Sequence, residues 1–93
     1  MIHTVKLSNN VKKQLKKLPK YIVIKMLAWV DDIEARGLEE VRKTPGYHDE
    51  PLKGKRKGQR SVRLTKGYRA FYVVNSDGSV EFVEVTEVNL HEY

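Results

Sequence analysis

Between Pro19 and Gly37 the apolar residues Ile22, Met26, Trp29, Val30 and Ile33 recur at i, i+4, i+7, i+8 and i+11. That spacing predicts one helix from about Lys20 to Arg36 with a single apolar stripe. Pro19 breaks whatever helix precedes it, and Gly37 sits where a C-terminal cap belongs. A one-sided helix of this length must bury its stripe against another layer. Trp29 and Met26 are therefore read as core residues.

The flanking segments say what that layer is. Upstream, Ser8-Asn9-Asn10 offers N-caps, and Val11, Leu15 and Leu18 follow at helical spacing, with Lys12, Lys13, Gln14, Lys16 and Lys17 on the other side. This first amphipathic helix ends near Pro19, so the two helices form a hairpin. Residues 2–7 alternate imperfectly, as a short strand. Downstream, three strands are expected at about 60–65, 69–75 and 79–88, the last two joined by the turn Asn75-Ser76-Asp77-Gly78-Ser79. The apolar register of the last strand shifts between Phe82 and Val83, which predicts a bulge or a strand covered on both faces. Residues 37–59 lack sustained periodicity and hold four of the six glycines. A connection of that length is functional or mobile. The expected fold class is α+β: an N-terminal strand, a two-helix hairpin, then a three-stranded antiparallel meander, with the helices on one face of the sheet.

Ninety-three residues allow one domain, spanning 1–93. No apolar stretch is long enough to span a bilayer, and the N-terminus lacks the layout of a signal peptide, so the expected location is the cytoplasm and no membrane partner is expected. With no cysteine, disulfides, thiolate zinc sites and thiol catalysis are excluded. The scattered His3, His48 and His91 give no metal spacing, and no cofactor is expected.

Charge is unevenly placed. Residues 1–20 carry six lysines and no acid, and residues 51–76 carry eight bases and no acid. Residues 77–93 carry five acids and no base. This suggests a basic and an acidic face on one small body. The basic run starts in the Gly-punctuated loop Pro51-Leu52-Lys53-Gly54-Lys55-Arg56-Lys57-Gly58 and continues into the alternating Arg60-Ser61-Val62-Arg63-Leu64-Thr65. Positive charge fixed on a sheet suits a polyanion, RNA first.

Turn length sharpens this. A three-residue loop Thr65-Lys66-Gly67 with Gly67 left-handed pairs Leu64 with Tyr68 and Arg63 with Arg69. Val62, Leu64, Tyr68 and Ala70 then face the core, and Arg63 and Arg69 lie side by side on the opposite face. Like charges directly opposite one another cost about 0.2–1 kcal/mol, which a bound phosphate would reverse. The plain alternative for Arg69 is an ion pair with an acid on the last strand such as Glu84. Lys55, Arg56 and Lys57, with Arg60 and Lys66, are candidate RNA-backbone contacts by long-range attraction. Lys53, beside Pro51-Leu52, is better fixed. At the far end His91 and Tyr93 are candidate proton-transfer groups. His48 is a weaker one. Aromatic stacking platforms are not evident in the strands.

Pro51-Leu52-Lys53-Gly54, then Gln59-Arg60-Ser61-Val62-Arg63-Leu64 and Gly67-Tyr68-Arg69-Ala70-Phe71-Tyr72, resemble the RelE/HigB toxins of bacterial type II toxin–antitoxin systems, within the RelE/ParE superfamily. The resemblance covers nearly the whole chain. It implies a RelE-like fold and an endoribonuclease that cuts mRNA on the ribosome and is neutralised by a cognate antitoxin, a small helix-turn-helix protein, in a hetero-oligomeric complex. Residue by residue, Lys53 matches the lysine of the PLKG motif and Arg63 a basic strand position. Arg69 matches the arginine that contacts the scissile phosphate, and His91 and Tyr93 match C-terminal residues of relatives. The chain departs from the pattern at Glu50, where several HigB-like proteins carry histidine before the motif's proline, and in lacking the family's C-terminal helix before Tyr93. The implied chemistry is attack of a ribose 2′-hydroxyl on the adjacent phosphate, with Arg69, Arg63 and Lys53 stabilising the transition state. The base and acid would come from His91, Tyr93, Glu50 or a lysine. Two competing readings are a ParE-like gyrase poison of the same fold and a non-catalytic RNA-binding module.

Overall fold

The computed structural model of the chain describes residues 1–90. In order it forms β1 (Val5–Leu7), α1 (Asn9–Leu15), α2 (Lys20–Arg36), α3 (Leu38–Val41), β2 (Glu50–Pro51), β3 (Arg60–Arg63), β4 (Tyr68–Ser76) and β5 (Glu81–Leu90). The five strands make one sheet in the order β1-β5-β4-β3-β2, with β1 parallel to β5 and every other pair antiparallel. This is the expected α+β architecture, enlarged by the edge strand β2 and by α3.

The Ser8 hydroxyl caps α1, accepting from the Val11 amide at 3.1 Å. The helix ends at Leu15, earlier than Pro19. Its polar side chains do a second job. β1 covers the edge of β5 only as far as Val85. Beyond that the Asn10 amide donates to the Thr86 carbonyl at 3.1 Å, and Gln14 clamps Val88, donating to its carbonyl at 3.0 Å and accepting its N–H at 2.9 Å. Gln14, read from sequence as outward-facing, thus replaces a missing strand partner, because an uncovered backbone group costs too much to leave unpaired.

Helix α2 runs over its predicted bounds and lays its stripe on the sheet. Ile22, Met26, Trp29 and Ile33 are fully buried, together with Val62, Ala70, Tyr72, Val83, Val85 and Val88 from the strands. The Trp29 and Tyr72 rings meet at 5.4 Å between centroids, tilted by 48°. The helix ends at Gly37, whose N–H returns to Ile33 O at 2.8 Å with φ +89°.

The stretch 37–59 is tied to α2 at Thr44 and Tyr47. Arg36 grips both carboxylate oxygens of Asp32 at 2.6 and 2.8 Å and the Thr44 hydroxyl at 2.9 Å. Tyr47, in a 3₁₀ turn at Pro45–Tyr47, donates to Asp32 at 3.0 Å. The Arg36 guanidinium holds the Asp32 carboxyl below its usual range.

Two details differ from expectation. The bulge of β5 lies at Thr86, which is skipped between the pairs Phe71–Glu87 and Tyr72–Val85, not beside Phe82. Phe82 faces away from the helices and is covered there by Lys6, whose Nζ lies 4.1 Å from the ring centroid, so the strand is covered on both sides at this point. In the β3–β4 turn, Gly67 is not left-handed; a bend from Thr65 O to the Tyr68 N–H at 3.4 Å closes it. The register is nevertheless the predicted one, with Arg63 opposite Arg69.

Candidate functional site

The helices cover one face of the sheet. The other face is built from two rows of side chains set by strand register. Glu50, Ser61, Phe71 and Glu87 stand opposite one another across β2, β3, β4 and β5, and the next row is Arg63, Arg69 and Asn89. Pairing alone fixes this arrangement, since residues opposite in a ladder point the same way.

Arg69 is the centre of the face. Its Nη1 donates to Ser61 Oγ at 3.0 Å and to Glu50 Oε1 at 3.2 Å. Ser61 is buried, the Arg69 side chain is 16% exposed, and that of Glu50 is 58% exposed. A guanidinium held from below by a buried hydroxyl is oriented before any ligand arrives. The carboxylate beside it is the solvent-facing partner, so an incoming anion competes with Glu50 and leaves Ser61 in place. The expected alternative partner, Glu84, instead accepts from Asn75 Nδ2 at 2.7 Å.

Beside Arg69, Arg56 lies over the Phe71 ring, its Cζ 4.5 Å from the centroid. Arg56 Nη2 donates to Glu87 at 2.9 Å and Nη1 to Gln59 at 3.2 Å. Asn89 Nδ2 also donates to Glu87. Arg56 is therefore a fixed cation and not a free loop charge. The acids of β5 do not form a face of their own, because β5 lies next to β4 and brings Glu87 among the bases. An aromatic group, Phe71, stands on the open face beneath Arg56.

Behind Glu50 is a buried polar network on the helix side. The Asp49 side chain is 1% exposed; Arg60 Nε donates to one of its oxygens at 2.7 Å and the Tyr72 hydroxyl to the other at 2.5 Å. Burial and Asp49 together push the Tyr72 phenol well above its ordinary pKa. Burial alone would lower the pKa of Arg60, but Asp49 outweighs it and raises it. Asp49 immediately precedes Glu50, so this network pins the backbone that presents Glu50 to Arg69.

The sequence-derived site residues divide accordingly. Arg60, expected with the RNA contacts, points to the other face and neutralises Asp49, because strand alternation puts it with Val62 and not with Arg63. Arg63 is on the open face at the unpaired end of β3, past the two-residue β2. It also borders a cleft of about 330 Å³ lined by Lys25, Asp32, Thr44 and Tyr47 on the helix side. Lys53, Lys55 and Lys57 are exposed around the 3₁₀ turn Gly54–Arg56, and Lys66 is exposed at the β3–β4 turn. His48 is exposed in a left-handed conformation with φ 45°. His91 and Tyr93 lie outside the described residues. Among the described residues no group of three His, Cys, Asp or Glu that could hold a metal ion comes together.

Ser61, Phe71, Glu87 and Asn89 were not singled out from sequence. For Ser61 and Phe71 the signal was available, since each is two residues from an arginine already assigned to that face. Glu87 and Asn89 were hidden by the bulge at Thr86, which reverses the parity of β5.

Comparison with known proteins gives the lineage. The family model described as "ParE toxin of type II toxin-antitoxin system, parDE" matches residues 5–87. None of the curated protein sequences matches the chain. Among solved structures, the toxin–antitoxin complex RelBE2 from Mycobacterium tuberculosis is similar with TM-score 0.70 and 21% identity over 98% of this chain and 100% of that one. The YoeB/ParE toxin from Agrobacterium tumefaciens gives TM-score 0.64 and 22% identity, over 96% and 99% of the two chains. The YoeB–YefM complex from Staphylococcus aureus gives 0.67 and 18%, over 99% and 100%. These likenesses establish a shared fold.

Proposed function

The chain belongs to the ParE toxin family of type II toxin–antitoxin systems, and we propose that it acts as an RNA endonuclease cutting by attack of a ribose 2′-hydroxyl on the adjacent phosphate. The observation that carries the reading is the Glu50–Arg69–Ser61 arrangement on the open face. A phosphate drawn to Arg69 displaces the exposed Glu50 carboxylate, which is then within reach of the neighbouring 2′-hydroxyl. Glu50 takes the proton as the 2′-oxygen bonds to phosphorus. The bond from phosphorus to the 5′-oxygen breaks, leaving a 2′,3′-cyclic phosphate and a 5′-hydroxyl. Arg69, already oriented, stabilises the charge that gathers on the phosphoryl oxygens; one such donor is worth a factor of about 10²–10³ in rate. Arg63 and Lys53 add positive potential, and Lys55 and Lys57 draw in the backbone. The proton for the leaving oxygen is assigned to the His91–Tyr93 end, following the family resemblance.

The substrate in this reading is mRNA on the ribosome, and the partner is a protein antitoxin, of the kind present in the RelBE2 and YoeB–YefM complexes. The antitoxin silences the toxin by occupying or distorting the open face. Induced expression of the chain, with 5′-hydroxyl RNA ends mapped across transcripts, tests the activity. New 5′-hydroxyl ends that vanish in Arg69→Ala support it. Growth arrest with DNA breaks and intact transcripts would overturn it in favour of a gyrase poison.

A further inference from the structure

Phe71 is an aromatic residue on the face turned away from the core, and it takes no part in the core cluster. A planar cation lies over its ring. The Arg56 guanidinium lies 4.5 Å from the ring centroid, anchored at its edges by Glu87 at 2.9 Å and Gln59 at 3.2 Å. The Arg56 side chain remains 42% exposed, so this layer presents surface to solvent. Glu87 is held in turn by Asn89. The result is a guanidinium held over an aromatic ring by two side-chain partners.

The position of this stack relative to Arg69 gives it meaning. Phe71 follows Arg69 by two residues on β4, on the same side of the sheet, a separation of about 6.8 Å along the strand. That is within the span of one extended nucleotide. Ser61 lies opposite Phe71 in the ladder and bonds to Arg69, so one residue ties the two positions together.

Resting on the RNA reading above, we propose that Arg56 and Phe71 form a nucleobase-stacking subsite that holds the base next to the phosphate on Arg69. A base has a π-face whatever its identity, and it stacks on a guanidinium plane as well as on an aromatic ring. The subsite discriminates by stacking strength and not by reading hydrogen-bonding edges, so it favours purines over pyrimidines. Glu87 and Asn89 are positioning residues: Glu87 holds the Arg56 guanidinium over the ring, and Asn89 holds Glu87.

The probe is a set of cleavage-resistant 2′-O-methyl RNA trinucleotides carrying 2-aminopurine, whose fluorescence is quenched by stacking. Wild-type protein should quench it on binding. Phe71→Leu and Arg56→Gln, checked for unchanged thermal unfolding, should bind about tenfold more weakly, the order of one stacked base, and leave the probe bright at saturation. Arg69→Ala should weaken binding while keeping the quench at saturation. If Phe71→Leu and Arg56→Gln bind and quench as wild type does while Arg69→Ala still weakens binding, the subsite is refuted and the RNA reading stands. If the wild type binds none of the trinucleotides, or binds without quenching, the subsite is refuted, and the RNA reading is decided by the mapped 5′-hydroxyl ends alone.

Discussion

Glu50 and Arg69 belong to strands that are not neighbours, yet their side chains meet at 3.2 Å across the intervening β3. The contact exists because β3 offers only a small residue, Ser61, between them, and because the edge strand carrying Glu50 is two residues long and pinned by Asp49. A mobile loop acid would not be held there. The pair is a partly exposed ion pair and contributes little to folding, about 0–1 kcal/mol. In the proposed reaction its value lies in an oriented cation whose exposed carboxylate partner can give way to a phosphate.

Replacing Glu50 with glutamine should separate binding from chemistry. Glutamine keeps an oxygen for Arg69 but has no basic carboxylate and no charge to compete with a phosphate. Cleavage should fall by a factor of about 10²–10⁴, the usual range for a general base. Affinity for cleavage-resistant RNA should stay the same or rise. Parallel loss of both would mean that Glu50 organises the face and does not move the proton.

Arg60 and Lys55 come from the same basic run and should behave oppositely. Arg60→Ala leaves the Asp49 carboxylate, 1% exposed, with Tyr72 alone. Stranding a buried charge in this way costs about 3–5 kcal/mol. Lys55→Ala at an exposed position should change stability by about 0.5 kcal/mol or less. Urea unfolding measures both. Any loss of toxicity in Arg60→Ala should then follow the fraction unfolded, with no direct effect on RNA contact.

Much of this arrangement was legible beforehand. The length of the β3–β4 turn and the alternation of Val62, Leu64 and Ala70 fix the register that puts Arg63 opposite Arg69. The partner of Arg69 was not legible. Two residues ending in proline carry no periodicity, so β2 is invisible until β3 is there to pair with it. The inward turn of Arg60 was contained in the same alternation that placed Arg63 outward, but charge counting treated the run as one population. The acids of β5 were misplaced for a different reason. Its bulge sits where α1 side chains replace a strand partner at Thr86 and Val88, a tertiary event that the pattern of β5 alone does not announce.

Gly37 joins α2 to α3 at φ +89° and ψ 150°, a region open almost only to glycine. A Cβ there would also stand 3.3 Å from the His3 ring, which itself lies against the Glu34 carbonyl at 3.0 Å. Gly37→Ala should therefore cost about 1–3 kcal/mol from backbone strain, with a further penalty from the contact. Adding His3→Ala should recover the contact part only. Full rescue in the double variant would show that sterics, and not the backbone, make glycine necessary here.

Stability should also fall in acid through the β4–β5 turn. The Asp77 carboxylate accepts from the Val80 and Ser79 amides at 2.9 Å each and from the Ser79 hydroxyl at 2.8 Å. These bonds, the backbone ones foremost, depress its pKa from 3.8 to about 2. A carboxyl depressed on folding binds its proton more readily in the unfolded chain. Its contribution is thus complete above pH 3.8 and is lost as the pH falls towards about 2. Asn at this position keeps the acceptor oxygen but cannot titrate. Urea midpoints measured between pH 5 and 2, a range chosen to span the titration, should drop more steeply for the wild type than for Asp77→Asn. Parallel curves would assign the acid sensitivity to Asp32 and Glu39, whose carboxyls are also held below their usual range.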